Sequence, residues 1–306
     1  IGNTNAALAF VAFVDAEGAG RRSAEMLPVG ALHVESLGSW AGDEDEAARL
    51  GEAIHATDRA FHGLQAGISA VGSRERERVL AEQLRLRGWS VHVRPGAGLI
   101  MEIRHPETCG TDRQYAVRAA LEDQLRQRND MSEGVRVLVI DAGTALTVDA
   151  GIARPIERQD VASLTEARSE LAVSTELAFL GGAIAMGPGS LASAITARGA
   201  RLAEFDVDPD APALGRSTVE ALRSGVSVGF RGAVRELCTH VSQEAFGGTA
   251  RVVPYLTGGA RAFAREAVAG CFPDGFHESA HLVHAGLARA VRDATARDLG
   301  GAEGVS

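Results

Sequence analysis

Two short segments of the chain, about 140 residues apart, read as copies of one turn. The first is Gly2-Asn3-Thr4. The second is Asp141-Ala142-Gly143-Thr144-Ala145-Leu146-Thr147, entered by the apolar run Val137-Leu138-Val139-Ile140. Both predict a strand, a tight glycine turn and a second strand. Such a hairpin presents backbone N–H groups and a small hydroxyl or amide to a phosphate, and glycine lets the backbone come that close. A third glycine turn, Thr257-Gly258-Gly259, follows a later apolar run. A lone Asp-x-Gly-Thr string is mostly an ordinary hairpin. Two such turns, with a third glycine turn downstream, predict two similar lobes with a nucleotide held between them. Aligning the copies puts the counterpart of Asp141 one residue before Ile1.

Asp112 stands in Pro106-Glu107-Thr108-Cys109-Gly110-Thr111-Asp112-Arg113. One reading is a helix N-terminal acid that satisfies the dipole, with Arg113 on the surface. The other is a general base beside a guanidinium that holds an anionic or hydroxylated substrate. A kinase acting on an alcohol needs such a carboxylate to accept the hydroxyl proton. Spacing alone leans to the first. Gly225-Val226-Ser227-Val228-Gly229 matches the hydrolase nucleophile pattern, but it lies in a helical run and not on a strand-to-helix elbow. His277, His281 and His284 fall on one face of a predicted helix, a spacing compatible with zinc. Without an acidic or sulfur partner, a surface cluster is the expected reading. Arg74-Glu75-Arg76-Glu77-Arg78 reads as a solvated helix face.

The elements that must position these residues follow from periodicity. Residues 1–14 and Gly67–Val71 predict strands, and Trp89–Val93 another. Asp43–Arg59 and Arg74–Arg87 predict helices between them. In Thr111–Arg128, Val117, Leu121 and Leu125 share one helical stripe, and Thr111 or Asp112 can cap its start. The polar stretch Asn129–Gly134 predicts a boundary, giving an N-terminal lobe 1–131 and a C-terminal lobe 132–306. The second lobe opens with strand 136–140. Residues 151–177 are charged, poor in strand signal, and predict an inserted excursion. A strand over 179–184, helices at 190–200 and 218–240, a strand at 252–256, and helices at 260–270 and 281–297 complete the pattern. Alternating strands and helices predict an α/β fold with mixed sheets.

Composition narrows the chemistry. A length of 306 residues with 45% apolar residues allows two full cores. A net charge of −9 argues against a nucleic-acid surface. No apolar run approaches the roughly 20 residues of a membrane span. The start carries no basic n-region, so no signal peptide is expected. Three cysteines, Cys109, Cys238 and Cys271, lack metal spacing and predict thiols in a reducing cytoplasm, read most simply as small buried hydrophobes. All 31 basic residues are arginine. Without lysine a Walker-type phosphate loop is excluded, and so is Schiff-base or pyridoxal chemistry.

The ordered set of motifs resembles the type III pantothenate kinases, within the acetate and sugar kinase, heat-shock ATPase and actin superfamily. Gly2-Asn3-Thr4-Asn5 is similar to the family's Asp-x-Gly-Asn-Thr without its aspartate. Pro106 with Gly110-Thr111-Asp112-Arg113 is similar to Pro-x-x-x-Gly-x-Asp-Arg, and Asp141–Asp149 to the second phosphate motif. Gly181-Gly182-Ala183-Ile184 through Pro188-Gly189, Thr196-Ala197, Gly215–Thr218 with Gly225 and Gly229, Thr257-Gly258-Gly259 and Gly286-Leu287 follow in order. Departures from the family pattern are Ile103 where an aromatic is frequent, Arg198-Gly199-Ala200 where Leu-Pro is usual, Ser217 for asparagine, and the long 151–177 segment. They bear on substrate affinity, not on fold.

The resemblance implies two actin-like (ribonuclease H-like) lobes with a nucleotide cleft between them, and ATP-dependent phosphorylation of pantothenate. It implies Asp112 as base for the primary hydroxyl, with Gly110, Thr111 and Arg113 holding substrate. Thr196 would reach pantothenate from the partner subunit of a homodimer. Gly2, Asn3, Thr4, Gly143 and Thr144 would cradle phosphates, and Gly258 and Gly259 would face the nucleoside. Asp141 would sit near a monovalent cation, potassium or ammonium, and Mg²⁺ would ride on the nucleotide. Two alternatives stay open. One is a non-catalytic regulatory relative, motivated by the absent aspartate; the other is a kinase of the same superfamily with another small hydroxylated acceptor.

Overall fold

Val137, Leu138, Val139 and Ile140 are all buried, with none of the in–out alternation of a strand that has one wet face. Such a run requires cover on both sides of its sheet. In the computed structural model, which describes residues 5–10, 33–39, 65–69, 74–86, 88–128, 133–156, 175–199 and 202–302, they form the inner strand β6 (Val135–Ala142). The earlier elements are β1 (Asn5–Phe10), β2 (His33–Ser39), β3 (Gln65–Ile68), α1 (Arg74–Leu86), β4 (Ser90–Val93), β5 (Ile100–Met101) and α2 (Thr111–Gln127). After β6 come β7 (Ala145–Pro155), β8 (Thr175–Met186), α3 (Pro188–Arg198), α4 (Thr218–Phe246), β9 (Val252–Thr257), α5 (Arg261–Cys271), β10 (His277–Glu278) and α6 (Leu282–Ala302). The protein is a mixed α/β structure.

The chain divides into two compact units, residues 1–97, 110–116 and 283–306, and residues 98–109 and 117–282. The second unit contains a mixed sheet of order β10-β9-β6-β7-β8-β5. β6 and β7 form an antiparallel hairpin, while β6 and β9 run parallel with Asp141 opposite Thr257. One face of the sheet is covered by α4 and α5. Leu138, Ile140, Leu146 and Val148 share a buried cluster with Phe230, Val234, Phe263, Ala264 and Val268. Burial of each such large side chain contributes about 1.5–3 kcal/mol. The other face receives α2. A Cβ on Gly151 would overlap Val117 and stand 3.4 Å from Leu121, so the predicted apolar stripe of α2 meets the sheet where β7 has no side chain. At the start of α4 the N-cap Ser217 accepts from the Glu220 amide, and the Glu220 carboxylate reaches back to accept from the amide of Arg216, the residue before the cap, at 2.7 Å. It ends at Gly247, whose left-handed φ of +77° closes the last turn.

In the first unit, β1 and β2 pair antiparallel, and β3 and β4 pair parallel around α1. Ile68, Ala81 and Leu84 form a small core with Leu80, Trp89 and Val91 around them. Glu77 corrects the reading of residues 74–78 as a solvated face. It is 4% exposed, and both of its carboxylate oxygens accept from the Arg94 Nε at 2.8 and 2.7 Å. Arg94 reaches it from a left-handed backbone, φ +47°.

Other expectations shift. The 151–177 segment is not all excursion: 151–155 belong to β7 and 175–177 to β8, paired in register from Gly151–Phe179 to Pro155–Thr175. Ladder hydrogen bonds hold these residues despite their weak strand composition. The cysteines are not all buried. Cys238 is, Cys109 and Cys271 are half-buried, and none is in a disulfide. The predicted helix over 43–59 lies outside the described residues.

Candidate functional site

The strongest grouping lies at the adjacent ends of β6 and β9. The β6–β7 turn closes through the Gly143 amide, which donates to the Ala145 carbonyl at 2.8 Å. The Thr144 carbonyl accepts from the Gly187 amide at 3.0 Å and from Ser190 Oγ at 2.7 Å. The start of α3 therefore clamps the turn from behind. Gly187 permits that contact, since its Cβ would overlap the Gly143 carbonyl oxygen and stand 2.8 Å from that of Thr144. The β9 turn closes when the Ala260 amide donates to the Ala142 carbonyl at 2.7 Å. Gly258 has φ +94°, and its Cβ would overlap the same Ala142 carbonyl. Arg261 Nη1 donates to the Gly258 carbonyl at 2.9 Å, while its Nε donates to Glu278 at 2.8 Å. Hydrogen bonds from Arg265, joined by Arg261, hold the Glu278 carboxyl below the usual carboxylate range.

Asp141 stands between the two turns. Its Oδ1 lies 3.7 Å from where a Gly143 Cβ would be, and a Cβ on Gly258 would overlap it. The outer parts of the turns are open. A Cβ on Gly143 would meet nothing closer than 3.7 Å, and one on Gly259 nothing within 4 Å. Thr144 and Gly259 are exposed. The bonds that close the turns use the amides of Gly143 and Ala260 and leave out those of Thr144 and Gly259. Two bare glycine backbones, an exposed hydroxyl and a carboxylate suit a polyphosphate with a cation.

Gly110, Thr111, Asp112 and Arg113 form a second group. A 3₁₀ turn over Pro106–Thr108 leads into it, and the Gly110 carbonyl takes the first helical bond of α2 from Gln114 at 3.4 Å. The Asp112 carboxylate folds back against Gly110, where a Cβ would overlap its Oδ1. Arg113 Cδ lies 3.9 Å from the same position. Thr111 does not cap α2 with its side chain: its hydroxyl bonds Ser69 Oγ at 2.7 Å. Tyr115, one turn on, is fully buried and donates to the Pro95 carbonyl at 2.7 Å, which anchors the start of the helix. Burial pushes its hydroxyl far above the ordinary phenol range.

The remaining sequence candidates fall elsewhere. Thr196 is half-buried on α3, and its hydroxyl donates to the Ala192 carbonyl at 3.0 Å. Gly2, Asn3 and Thr4 lie outside the described residues. The three histidines do not share a helix face: His277 is on β10, His281 precedes α6 and His284 is within it. Among the described residues no cluster of three or more His, Cys, Asp or Glu side chains could hold a metal ion. No helix among them is long and apolar enough to cross a membrane. Gly225–Gly229 lies inside α4. Sequence reasoning missed three residues, Gly187, Ser190 and Arg261. A glycine before Pro-Gly-Ser and an arginine two residues after Gly-Gly were the available signals.

Known proteins with these features can now be compared. The profile of the family described as type III pantothenate kinase matches residues 1–153 and 167–240. A type III pantothenate kinase of Thermus thermophilus is 34% identical over 162 residues, 53% of this chain and 51% of that protein. One from Legionella pneumophila is 31% identical over the same length, and a type III pantothenate kinase 1 of Francisella tularensis is 27% identical over 158 residues. The chain spans about half the length of the curated relatives it matches. A solved chain from Campylobacter jejuni, described as a Baf family transcriptional activator, aligns over 86% of this chain and 91% of its own at 17% identity. Its TM-score of 0.45 is too low to argue a shared fold. The family profile covers well over half the sequence, including both the Gly110–Arg113 segment and the Asp141–Thr147 turn, and on that ground the chain belongs to the type III pantothenate kinase family.

Proposed function

We propose that the protein transfers the terminal phosphoryl group of ATP to the primary hydroxyl of pantothenate, giving 4'-phosphopantothenate, the first step of coenzyme A biosynthesis. The observation that carries this reading is the meeting of two glycine turns on either side of Asp141, with room at Gly143 and Gly259 that the protein itself leaves open. In this reading the chain consists of two actin-like lobes, 1–131 and 132–306, that share one nucleotide. Gly143 and Thr144, with Gly2, Asn3 and Thr4, hold the phosphates, and Gly258 and Gly259 lie against the nucleoside. Asp141 supplies charge beside a monovalent cation, potassium or ammonium. Mg²⁺ arrives with ATP and neutralises phosphate charge.

Asp112 accepts the hydroxyl proton as the phosphoryl group is transferred. Its carboxylate, turned back onto Gly110, suits an acceptor lying across the start of α2. Gly110, Thr111 and Arg113 hold the acceptor's polar groups. Thr196 reaches pantothenate from the partner subunit of a homodimer. Ile184 and Met186, 64% and 37% exposed on β8, offer apolar surface for a second copy. Most of the acceleration comes from positioning and charge, because phosphoryl transfer asks little covalent chemistry of the protein. A cytoplasmic setting fits the three thiols.

The test is ADP release. It should require pantothenate and rise with potassium. Asp112→Asn should lower it about 10²–10⁴-fold with the melting temperature unchanged. Turnover only with a different hydroxylated acceptor would overturn the substrate assignment. Nucleotide binding without turnover on any acceptor would favour a regulatory relative.

A further inference from the structure

Away from the glycine turns, two nucleophilic side chains meet where α4 packs on α5. Cys238 lies on the buried face of α4, within the cluster that contains Val234, Ala267 and Val268. Cys271 is the last residue of α5 and packs against the same cluster, but it is only half-buried. Its thiol points at the Arg235 carbonyl, 3.8 Å away. Arg235 precedes Cys238 by about one turn of α4, so this contact brings the end of α5 level with the buried cysteine. The neighbouring Cys238 thiol, helped by Thr239 and Arg235, draws the Cys271 thiol down to about 7. The neighbouring Cys271 thiol, with burial, pushes Cys238 far up. The outer sulfur is thus the nucleophile, and the inner one stays protonated beside it.

We propose that Cys238 and Cys271 are a reversible redox pair, oxidised by a hydroperoxide to an intrachain disulfide that ties α5 to α4. Cys271 thiolate attacks the terminal peroxide oxygen. The S–O bond forms, the O–O bond breaks, and the departing hydroxide or alkoxide takes up a proton. Cys238 sulfur then attacks the Cys271 sulfenic sulfur. The S–S bond forms, the S–O bond breaks, and the released hydroxide leaves as water with the Cys238 proton. The thiols lose two electrons and two protons, and the hydroperoxide is reduced to an alcohol, or water, plus water. A dithiol reverses the step by exchange and is itself oxidised to a disulfide. The pair stands independently of the kinase reading.

Peptide mapping of the full chain after hydrogen peroxide treatment, under non-reducing conditions, tests this. The expected product is a linked Cys238–Cys271 peptide pair, lighter by two hydrogens and lost on addition of dithiothreitol. Cys109 should remain open to alkylation. Cys238→Ala should leave a Cys271 sulfenic acid that dimedone traps, while Cys271→Ser should give no adduct at Cys238. Because the mapping uses the unsubstituted chain, it decides the matter even if Cys238→Ala does not fold. Absence of the linked peptide after peroxide treatment, or oxidation that begins at Cys109, would overturn the proposal.

Discussion

The glycines at the ends of β6, β8 and β9 gather in one place, yet they answer to different constraints. At Gly187 and Gly258 a methyl group would run into a carbonyl of the neighbouring turn. At Gly143 and Gly259 it would meet ordinary contact or empty space. The first pair is required by packing, because it lets backbone lie against backbone. The second pair is not needed by the protein's own contacts. A glycine there has a physical purpose only if something outside the chain comes as close as a carbonyl does at the first pair.

Substitutions can break that contrast. Gly187→Ala should be the most damaging, lowering stability by about 3 kcal/mol or more, since the new methyl overlaps a clamped backbone that cannot retreat. A denaturant midpoint that stays near the parent value would show that α3 does not brace the turn. Gly258→Ala should cost about 1–3 kcal/mol, from the left-handed φ together with the Ala142 carbonyl. Gly143→Ala and Gly259→Ala should leave stability within about 1 kcal/mol of the parent. Each should nevertheless raise the KM for ATP about tenfold or more, equivalent to about 1.4 kcal/mol. An unchanged KM in both would remove the case for the turns as a nucleotide site. The smallest effect is a change of slope with pH. Glu278, held below the usual carboxylate range by Arg265 and Arg261, adds stability that is complete above its unfolded value and is lost as pH falls through the folded one. Glu278→Gln should lower stability slightly at neutral pH and converge with the parent at acid pH, flattening the acid limb, read by melting temperature across pH 3 to about 7.

The Gly110–Arg113 group teaches a related point. Its helix was legible from the Val117–Leu121 stripe, because side-chain spacing on a helix is a local property. Its cap was not. Thr111 could have closed the helix start, but Ser69, which is 42 residues earlier, takes its hydroxyl. In the same way Glu77 looked like one more solvated charge until Arg94 folded over it. The strand residues 151–155 and 175–177 carry little strand character, and what holds them is the ladder between β7 and β8. The histidines at 277, 281 and 284 were placed on one face by assuming an unbroken helix, whereas the chain adds a strand beside β9 before α6 begins.

Apart from β2, β5 and β10, which the sequence did not announce, the described strands and helices, the Gly143 and Gly258 turns and the residue types gathered around them were determined by the sequence alone. All of these depend on neighbours within a few positions along the chain. Only the tertiary structure decided which of those glycines the fold requires and which it leaves open. The physical reason is steric: a missing side chain has meaning only against the atom that would collide with it, and here that atom belongs to a strand end or turn many residues distant.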